Sequence, residues 1–404
     1  MNILYIHGVG SFGGSSRSLY ENIKIMKNYG VNPYIIVPVG SSCEVFKFIS
    51  DNIITTTGLT QLDNTKYSHY KGLRWIVALR EVLFLPFTIF CLLKAKARWK
   101  SIDIIHINEI TLIIPALLAK IIFNKPIILH VRSLQNNNEK SIRTKFVNHH
   151  LKKFNNVLAI DENVRSTLPK ADNILTVHNS YSISERKEDK RLQATLTNIK
   201  ETKKHSLVVG FVGNLLQQKG IINLLEAANL VKDNQQIIFL ILGGEPPKKP
   251  FYISAITKLL GIEQNVKERI LSTIKENKLE EKFILLGHSY DTSSFYKEID
   301  VICFPSELDA PGRPVFEAAF FGKPAIVTVK NPKADTIIHG ETGLAIPNNK
   351  PETIANAIMY FLNNPNELDR MGINAKKLSS NTADPIKNSR KILDIYHKLL
   401  TNHI

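Results

Sequence analysis

The stretch from residue 306 to 327 constrains the fold more than any other part of the chain. It reads SELDAPGRPVFEAAFFGKPAIV and follows a short apolar run, VICFP, so turn-forming and charged residues stand where a buried strand is expected to pass into a helix. Two carboxylates, Asp309 and Glu317, have seven residues between them in this stretch. Loops at the carboxyl ends of strands are where α/β enzymes place their chemistry. The stretch therefore predicts an α/β fold with a functional site at a strand end.

The spacing of the charged residues predicts how they are used. A helix that begins near Gly312 leaves Asp309 in the loop and puts Glu317 more than one turn inside, so the two carboxylates flank a ligand at the helix N-terminus. Gly312 lets backbone N–H groups approach that ligand closely. Arg313 is unfavourable beside the helix dipole unless an anion compensates it, which indicates a phosphate. Two alternatives stay open: Asp309 caps the helix, or Arg313 pairs with one of the carboxylates.

Length and charge narrow the class of protein. The 404 residues are too many for one ordinary core and predict two domains. A net charge of +16 indicates an anionic partner, which is nucleic acid, acidic lipid or a phosphorylated substrate. Nucleic acid is the weakest of these, because the sequence has no aromatic and basic recognition motif.

The cysteines and the N-terminus predict a cytoplasmic location. Cys43, Cys91 and Cys303 lie far apart in apolar contexts, without a C-x-x-C motif or a Cys/His cluster, which is typical of a reducing compartment. The first ten residues, MNILYIHGVG, resemble a buried strand with a glycine turn rather than a signal peptide. We expect nothing here to direct export.

The alternation of strand, glycine turn and helix runs through the chain twice. We predict an N-terminal Rossmann-like domain over residues 1–181, a charged linker over 182–205 and a second Rossmann-like domain over 206–384, followed by a helix over 385–404. The segment 245–267 is longer than an ordinary connection, and its role cannot be read from the sequence.

Candidate ligand-binding residues in the first half lie at strand ends. Gly13 and Gly14 belong to a glycine loop before a helix, where backbone N–H groups bind a phosphate or a sugar. A dinucleotide site is disfavoured, because the loop is not G-x-G-x-x-G and no acidic residue ends the second strand. His106 and His130 lie near the ends of the strands DIIHIN and PIILHVR, facing the edge where such sheets bind ligands. A histidine in a strand is more often a satisfied core group, so that alternative stays open for His130.

Residues 71–100, KGLRWIVALREVLFLPFTIFCLLKAKARWK, predict a membrane-surface helix. The uninterrupted apolar part from Val82 to Leu93 is too short to span a bilayer, which needs about 20 residues. Basic residues and tryptophans flank it on both sides, as in helices that lie in the interface and are held by anionic lipid. A helix buried between the sheet and solvent is the alternative.

Taken together, these motifs resemble the family 4 glycosyltransferases, which are retaining enzymes of the GT-B fold. The resemblance is most specific over residues 206–226 and 300–328. In the family, the first acidic residue of the signature contacts the donor sugar and the second binds the nucleotide ribose, which implies those roles for Asp309 and Glu317. The family usually has Glu at the first position.

The resemblance also implies a diphosphate site and a saccharide-acceptor site. Lys219 matches the lysine that binds the diphosphate, and Asn214 replaces the family's other basic residue, so Arg313 is expected to supply the missing charge. The glycine loop at Gly13 and Gly14 resembles the family loop that borders the donor and the saccharide acceptor. Family members also carry a histidine after the strand matching PIILHVR. Arg132 occupies that place by strand count, and His130 lies two residues earlier on the same side of the strand.

The fold and the activity follow from the same resemblance. It implies two parallel-sheet Rossmann-like domains facing across a cleft, an N-terminal domain on the saccharide-acceptor side, a C-terminal domain that binds a nucleoside diphosphate sugar, and a terminal helix that packs back on the first domain. Sugar transfer with retention of configuration is the expected reaction, in bacterial cell-surface polysaccharide or lipopolysaccharide biosynthesis, at the inner face of the membrane. No Asp-x-Asp pair is placed to hold a metal, so no metal or other cofactor is expected. Alternatives are a sugar-nucleotide epimerase, an inverting GT-B transferase, and a non-catalytic basic protein of the membrane surface.

Overall fold

The structure, a computed structural model, describes residues 1–68, 70, 76–181, 188–202, 206–244 and 266–401. The chain divides into two compact units: Met1–Ser182 with Ala383–Ile404 form the N-terminal unit, and Ile183–Thr382 form the C-terminal unit. The start of the 71–100 stretch, both ends of the predicted linker, nearly all of segment 245–267 and the last three residues of the terminal helix lie outside the described residues.

The N-terminal unit is built on a parallel sheet with the strand order β3-β2-β1-β4-β5-β6-β7. Its central strands are short apolar runs that are buried on both faces, as expected when helices cover a parallel sheet on both sides. The strands are β1 Asn2–Ile6, β2 Asn32–Pro38, β3 Asn52–Thr56, β4 Ile104–Ile107, β5 Ile127–Val131, β6 Asn156–Ala159 and β7 Ile174–Thr176. The helices between them are α1 Gly14–Lys27, α2 Ser41–Phe46, α3 Ile76–Arg98, α4 Ile113–Phe123, α5 Ile142–Leu151 and α6 Glu162–Arg165.

The C-terminal unit repeats this architecture with the strand order β10-β9-β8-β11-β12-β13, again all parallel. Its strands are β8 Leu207–Val212, β9 Ile237–Leu242, β10 Phe283–Gly287, β11 Val301–Phe304, β12 Ala325–Thr328 and β13 Gly343–Ile346. The described helices are α7 Lys190–Thr202, α8 Ile221–Leu230, α9 Val266–Glu276, α10 Thr292–Glu298, α11 Arg313–Phe320, α12 Pro351–Asn363 and α13 Pro365–Thr382. Two doubly wound parallel sheets confirm the predicted fold class.

Helix α14, Pro385–Thr401, is the last described element and belongs to the N-terminal unit. It packs against α1, and its buried side chains Ile392 and Tyr396 join the core cluster that contains Tyr5 of β1. The end of the chain is therefore held by apolar burial under the first sheet.

Residues 190–202 form helix α7, although the sequence analysis assigned them to a charged linker. Leu192, Leu196 and Ile199 recur at helical spacing, and all three are buried in the core of the C-terminal unit. The charged residues that dominate the composition occupy the outer face of the helix. The prediction of a linker was wrong here because composition conceals a narrow apolar stripe.

Each sheet has one point where the strand order reverses, between β1 and β4 in the N-terminal unit and between β8 and β11 in the C-terminal unit. From there, successive strands are added in opposite directions, so the loops at the carboxyl ends diverge and leave a crevice. Ligands of open α/β sheets bind at such a point.

Helix α3 has one buried face and one exposed apolar face. Thr88, Leu92 and Ala95 are fully buried, and Thr88 Oγ1 accepts a hydrogen bond of 2.9 Å from the backbone N–H of Thr60. The opposite face is solvent-exposed and carries Leu79, Val82, Leu83, Phe87, Phe90 and Leu93. Among the described residues, no helix is long and apolar enough to cross a membrane.

Candidate active site

The crossing point of the C-terminal sheet joins two loops, one after β8 and one after β11. The carbonyl oxygen of Gln218 accepts hydrogen bonds of 3.0 Å from both Ser306 Oγ and the backbone N–H of Glu307. Gly220 adopts a left-handed φ of +80°, and a Cβ atom there would overlap the carbonyl oxygen of Pro305. Only glycine allows the backbone at position 220 to come this close to Pro305, so Gly220 permits the contact between the two loops.

Lys219 lies at this junction with its side chain half-buried. Its Nζ atom is 5.5 Å from the centre of the Phe304 ring at the end of β11, and no hydrogen bond or ion pair to a described residue involves Nζ. Desolvation lowers the pKa of Lys219, because burial penalises the charged form. A cation held without an anionic partner is the electrostatic signature of an anion site.

The Phe304 ring also contacts the start of α11. A Cβ atom at Gly312, the residue that precedes α11, would overlap the Phe304 ring, so a side chain there would push the helix away. The Lys219 ammonium group and the α11 N-terminus therefore flank the same aromatic ring. A helix N-terminus together with an ammonium group is suited to bind a phosphate.

Arg313 and Glu317 form an ion pair one turn apart on α11. Arg313 Nε donates to Glu317 Oε1 at 2.7 Å, and the side chains are only 13% and 8% exposed. Tyr296 OH of α10 donates to the other carboxylate oxygen at 2.9 Å. The alternative in which Arg313 pairs with a carboxylate is thus what the structure has, and the pair compensates the cation at the helix start.

Asp309 lies in the loop before α11 and does not cap that helix. Its backbone is left-handed, with a φ of +50°, and its Oδ1 atom accepts a hydrogen bond of 2.8 Å from the backbone N–H of Lys330, beyond the end of β12. Gly312 is the N-cap residue, and no side chain accepts a cap hydrogen bond. The capping alternative was therefore wrong. Asn214, the remaining predicted residue, is exposed directly after β8.

At the crossing point of the N-terminal sheet, Arg132 is held by two asparagines. Arg132 Nη2 donates to Asn108 Oδ1 at 2.8 Å, and Arg132 Nη1 donates to Asn179 Oδ1. Asn108 Nδ2 in turn contacts His7 Nδ1 at 2.9 Å. His7 and Asn108 directly follow β1 and β4, so their position after buried strands was a signal that the sequence analysis missed.

His130 is an interior residue of β5 rather than an open strand-end group. It is 2% exposed, and its Nδ1 atom lies 2.8 Å from His106 Nε2. Burial and the nearby Arg132 guanidinium group hold the pKa of His130 well below its usual value, so the ring is neutral. Arg132 directly follows the strand, at the position where the family resemblance expects a histidine.

Gly13 and Gly14 start α1 on the exposed side of the β1 loop. A Cβ atom at either position would meet no atom within 4 Å, so the packing of this unit does not require glycine there. Among the residues that the structure describes, no group of three or more His, Cys, Asp or Glu side chains is arranged to hold a metal ion.

The architecture of the two units is shared with solved structures. The solved structure of Anabaena Alr3699/HepE, in complex with UDP and glucose, superposes with a TM-score of 0.71 over 97% of this chain and 98% of that chain, at 17% identity. Together with the two doubly wound sheets, this likeness identifies the GT-B fold.

Residues 193–378 match the family model of the glycosyl transferases group 1 and are a domain of that family. A capsular polysaccharide biosynthesis glycosyltransferase, CapM of Staphylococcus aureus, is 25% identical over 45% of this chain and 44% of its own length. The D-rhamnosyltransferase WbpZ of Pseudomonas aeruginosa is 31% identical over 41% of this chain and 39% of its own length. The chain thus spans less than half the length of these curated relatives.

Tyr296→Phe is expected to destabilise the C-terminal unit. The change keeps the ring, which stacks on Phe321 with centroids 5.6 Å apart, but it removes the hydroxyl that donates to the buried Glu317 carboxylate. A hydrogen bond to a charged group contributes about 1.5–3 kcal/mol, so the free energy of unfolding should fall by that amount in urea titrations.

Tyr360→Phe is the matched control. Its hydroxyl donates to the Glu367 carboxylate at 3.2 Å, but on the exposed surface, so we expect a change within about 0.5 kcal/mol. Equal effects of the two substitutions would contradict a special role for the buried hydroxyl.

Proposed function

We propose that this protein is a retaining glycosyltransferase that moves a sugar from a nucleoside diphosphate sugar to a saccharide or a lipid-linked saccharide. The observation that carries the proposal is the Lys219 ammonium group beside the α11 N-terminus, without an anionic partner among the described residues. The printed functions of CapM and WbpZ and the UDP bound to Alr3699/HepE support the same class of reaction.

The chemistry requires such a cation. When the glycosidic bond to the donor breaks, negative charge develops on the departing diphosphate, and donors fixed in advance stabilise it without reorganisation. We assign this task to Lys219, the backbone N–H of Gly312, and Arg313, with Asn214 contributing a neutral hydrogen bond. These groups take the place that a metal ion has in other transferases, so we propose a metal-independent reaction.

The carboxylates have separate tasks in this proposal. Glu317 binds the ribose: a carboxylate has about four lone-pair sites, so it can accept hydroxyl donors in addition to Arg313 and Tyr296. Asp309 contacts the donor sugar. In the N-terminal unit, Arg132 and His130 orient the saccharide acceptor, and Gly13 and Gly14 leave room for it beside α1.

Glu317→Gln tests this function in a transfer assay with a panel of nucleoside diphosphate sugars. We expect the wild-type protein to transfer sugar with the donor's anomeric configuration, by proton NMR of the product, and to do so in EDTA. The variant removes the charge that pairs with Arg313, and turnover should fall about tenfold to hundredfold.

Glu367→Gln serves as the control. Like Glu317, Glu367 accepts hydrogen bonds from a tyrosine and an arginine, which here are Tyr360 and Arg370, but these contacts lie on the surface. It should retain wild-type turnover. An inverted product would favour an inverting transferase, and a donor converted without any saccharide acceptor would favour an epimerase. Absence of turnover with every donor would favour a non-catalytic membrane-surface protein.

We further propose that α3 attaches the protein to an anionic membrane, at the inner face in the cell. Leu83 and Phe90 are 62% and 67% exposed and lie on the solvent-exposed face of α3. Lys94, Lys96 and Arg98 follow in the last turns and are exposed as well. An apolar face with neighbouring cations is suited to the interface of an anionic bilayer, where a lipid-linked saccharide would be available.

Phe90→Glu should weaken vesicle binding about tenfold or more, because it replaces an apolar side chain in the interface by a charge that anionic lipid repels. Ile373→Glu is the control: Ile373 is 69% exposed on α13, so the same kind of substitution is made at a matched exposure elsewhere. Sedimentation with phosphatidylcholine vesicles, with and without phosphatidylglycerol, measures both. Equal partitioning to the two kinds of vesicle, or equal loss in the two variants, would contradict the proposal.

A further inference from the structure

A chain of buried hydrogen bonds runs through the N-terminal unit from α14 to β5. Tyr5 OH lies 3.3 Å from Tyr396 OH, which lies 2.6 Å from His106 Nδ1, and His106 Nε2 lies 2.8 Å from His130 Nδ1. All four side chains are at most 2% exposed. In a buried chain of hydrogen bonds, a charged group at one end influences which atom of each pair carries the proton.

Arg132 is that charged group. A guanidinium group only donates hydrogen bonds, and Arg132 Nη2 lies 3.5 Å from His130 Nδ1. A proton on Nδ1 would point at a cation, whereas a lone pair there is stabilised by it. His130 therefore accepts at Nδ1 and carries its proton on Nε2.

The rest of the chain supports this choice from its other end. His106 must donate from Nε2 to His130, so its Nδ1 atom is unprotonated and accepts from Tyr396 OH. Tyr396 has then used its single proton, and its oxygen accepts from Tyr5 OH. Burial lowers the pKa of His106 to about 3, so this ring is neutral. One of its nitrogens therefore donates a hydrogen bond and the other accepts one.

A second branch of hydrogen bonds also starts at the Arg132 guanidinium group. Asn108 turns its Oδ1 atom to Arg132, so its Nδ2 group donates to His7 Nδ1. His7, whose pKa burial lowers to about 3, then donates from Nε2 to Ser16 Oγ at 2.9 Å. Both branches leave Arg132 as the fixed origin of the network.

His130 Nε2 is the end of the first branch, and it has no hydrogen-bond partner among the described residues. An N–H group that makes no hydrogen bond to a described residue is suited to donate to a ligand oxygen. We propose that Tyr396 and His106 are positioning residues that, together with Arg132, hold His130 as the neutral Nε2–H tautomer, which donates to a hydroxyl oxygen of the bound saccharide. The ligand class rests on the proposed function, whereas the tautomer does not.

Long-range proton–nitrogen NMR of the protein labelled at histidine reads the tautomer directly. The His130 signals are assigned with His130→Gln, and we expect the Nε2–H pattern in the wild-type protein at neutral pH. Tyr396→Phe removes the hydroxyl that donates to His106 Nδ1, so His106 no longer has to carry its proton on Nε2 and donate it to His130. The 3.5 Å contact with Arg132 then acts alone on His130, and we expect its pattern to become a mixture of tautomers. An Nδ1–H or doubly protonated His130 in the wild-type protein would overturn the proposal.

Tyr5→Phe is the matched control, since it also removes a hydroxyl from a fully buried tyrosine of the same core. It leaves Tyr396 OH free to donate to His106, so the tautomer should stay as in the wild type. Equal changes in the two variants would assign the effect to core packing and contradict the proposal. If Tyr396→Phe does not fold, Arg132→Gln is measured instead. A His130 pattern in Arg132→Gln that is the same as in the wild type would contradict the proposal.

Kinetics separate the proposal from the proposed function. With a transferase, Tyr396→Phe should lower kcat about tenfold and leave the KM for the donor within about twofold, because the donor site is in the other unit. Without any transfer activity the proposed function fails, while the NMR result still decides the tautomer. A wild-type kcat in Tyr396→Phe with a mixed tautomer would overturn the role of His130 as a donor to the saccharide.

Discussion

A half-buried cation with no anionic partner among the described residues is the interaction on which the functional account depends. Lys219 is held against the Phe304 ring by a turn that Gly220 makes possible, and burial lowers the pKa of its ammonium group. No described residue supplies an anion that would offset the cost of burying this ammonium group. A phosphate beside the α11 N-terminus would compensate it and would restore the pKa of Lys219 toward its ordinary value.

The N-terminal unit uses its cation in a different way. Arg132 donates hydrogen bonds to the side-chain amide oxygens of Asn108 and Asn179, so its charge stabilises hydrogen bonds within the protein. The strand ends at the two crossing points thus differ in kind: Lys219 has no anionic partner among the described residues, whereas Arg132 is hydrogen-bonded by side chains of its own unit. In the function proposed above, the first environment suits a diphosphate and the second suits a sugar hydroxyl.

Features with a local cause could be predicted from the sequence. The start of α11 after Gly312 and the parallel sheets follow from turn residues and apolar runs within a few positions of one another. Partners from distant elements could not be predicted, because nothing near Glu317 indicates Tyr296, and nothing near His106 indicates Tyr396 of the last helix. The contact of Asp309 with Lys330 could not be predicted for the same reason. The error in the linker has another origin: Leu192, Leu196 and Ile199 recur at helical spacing, but the charged residues around them dominate the composition.

Calorimetric titration with UDP, GDP, ADP and inorganic pyrophosphate tests the central claim most directly. The account predicts that Lys219→Met weakens the tightest of these ligands about tenfold to hundredfold, the loss of one charge-assisted hydrogen bond. It predicts an unchanged affinity for Lys232→Met, which removes an exposed ammonium group from the end of α8 in the same unit. A diphosphate that binds both variants as it binds the wild-type protein would contradict the account.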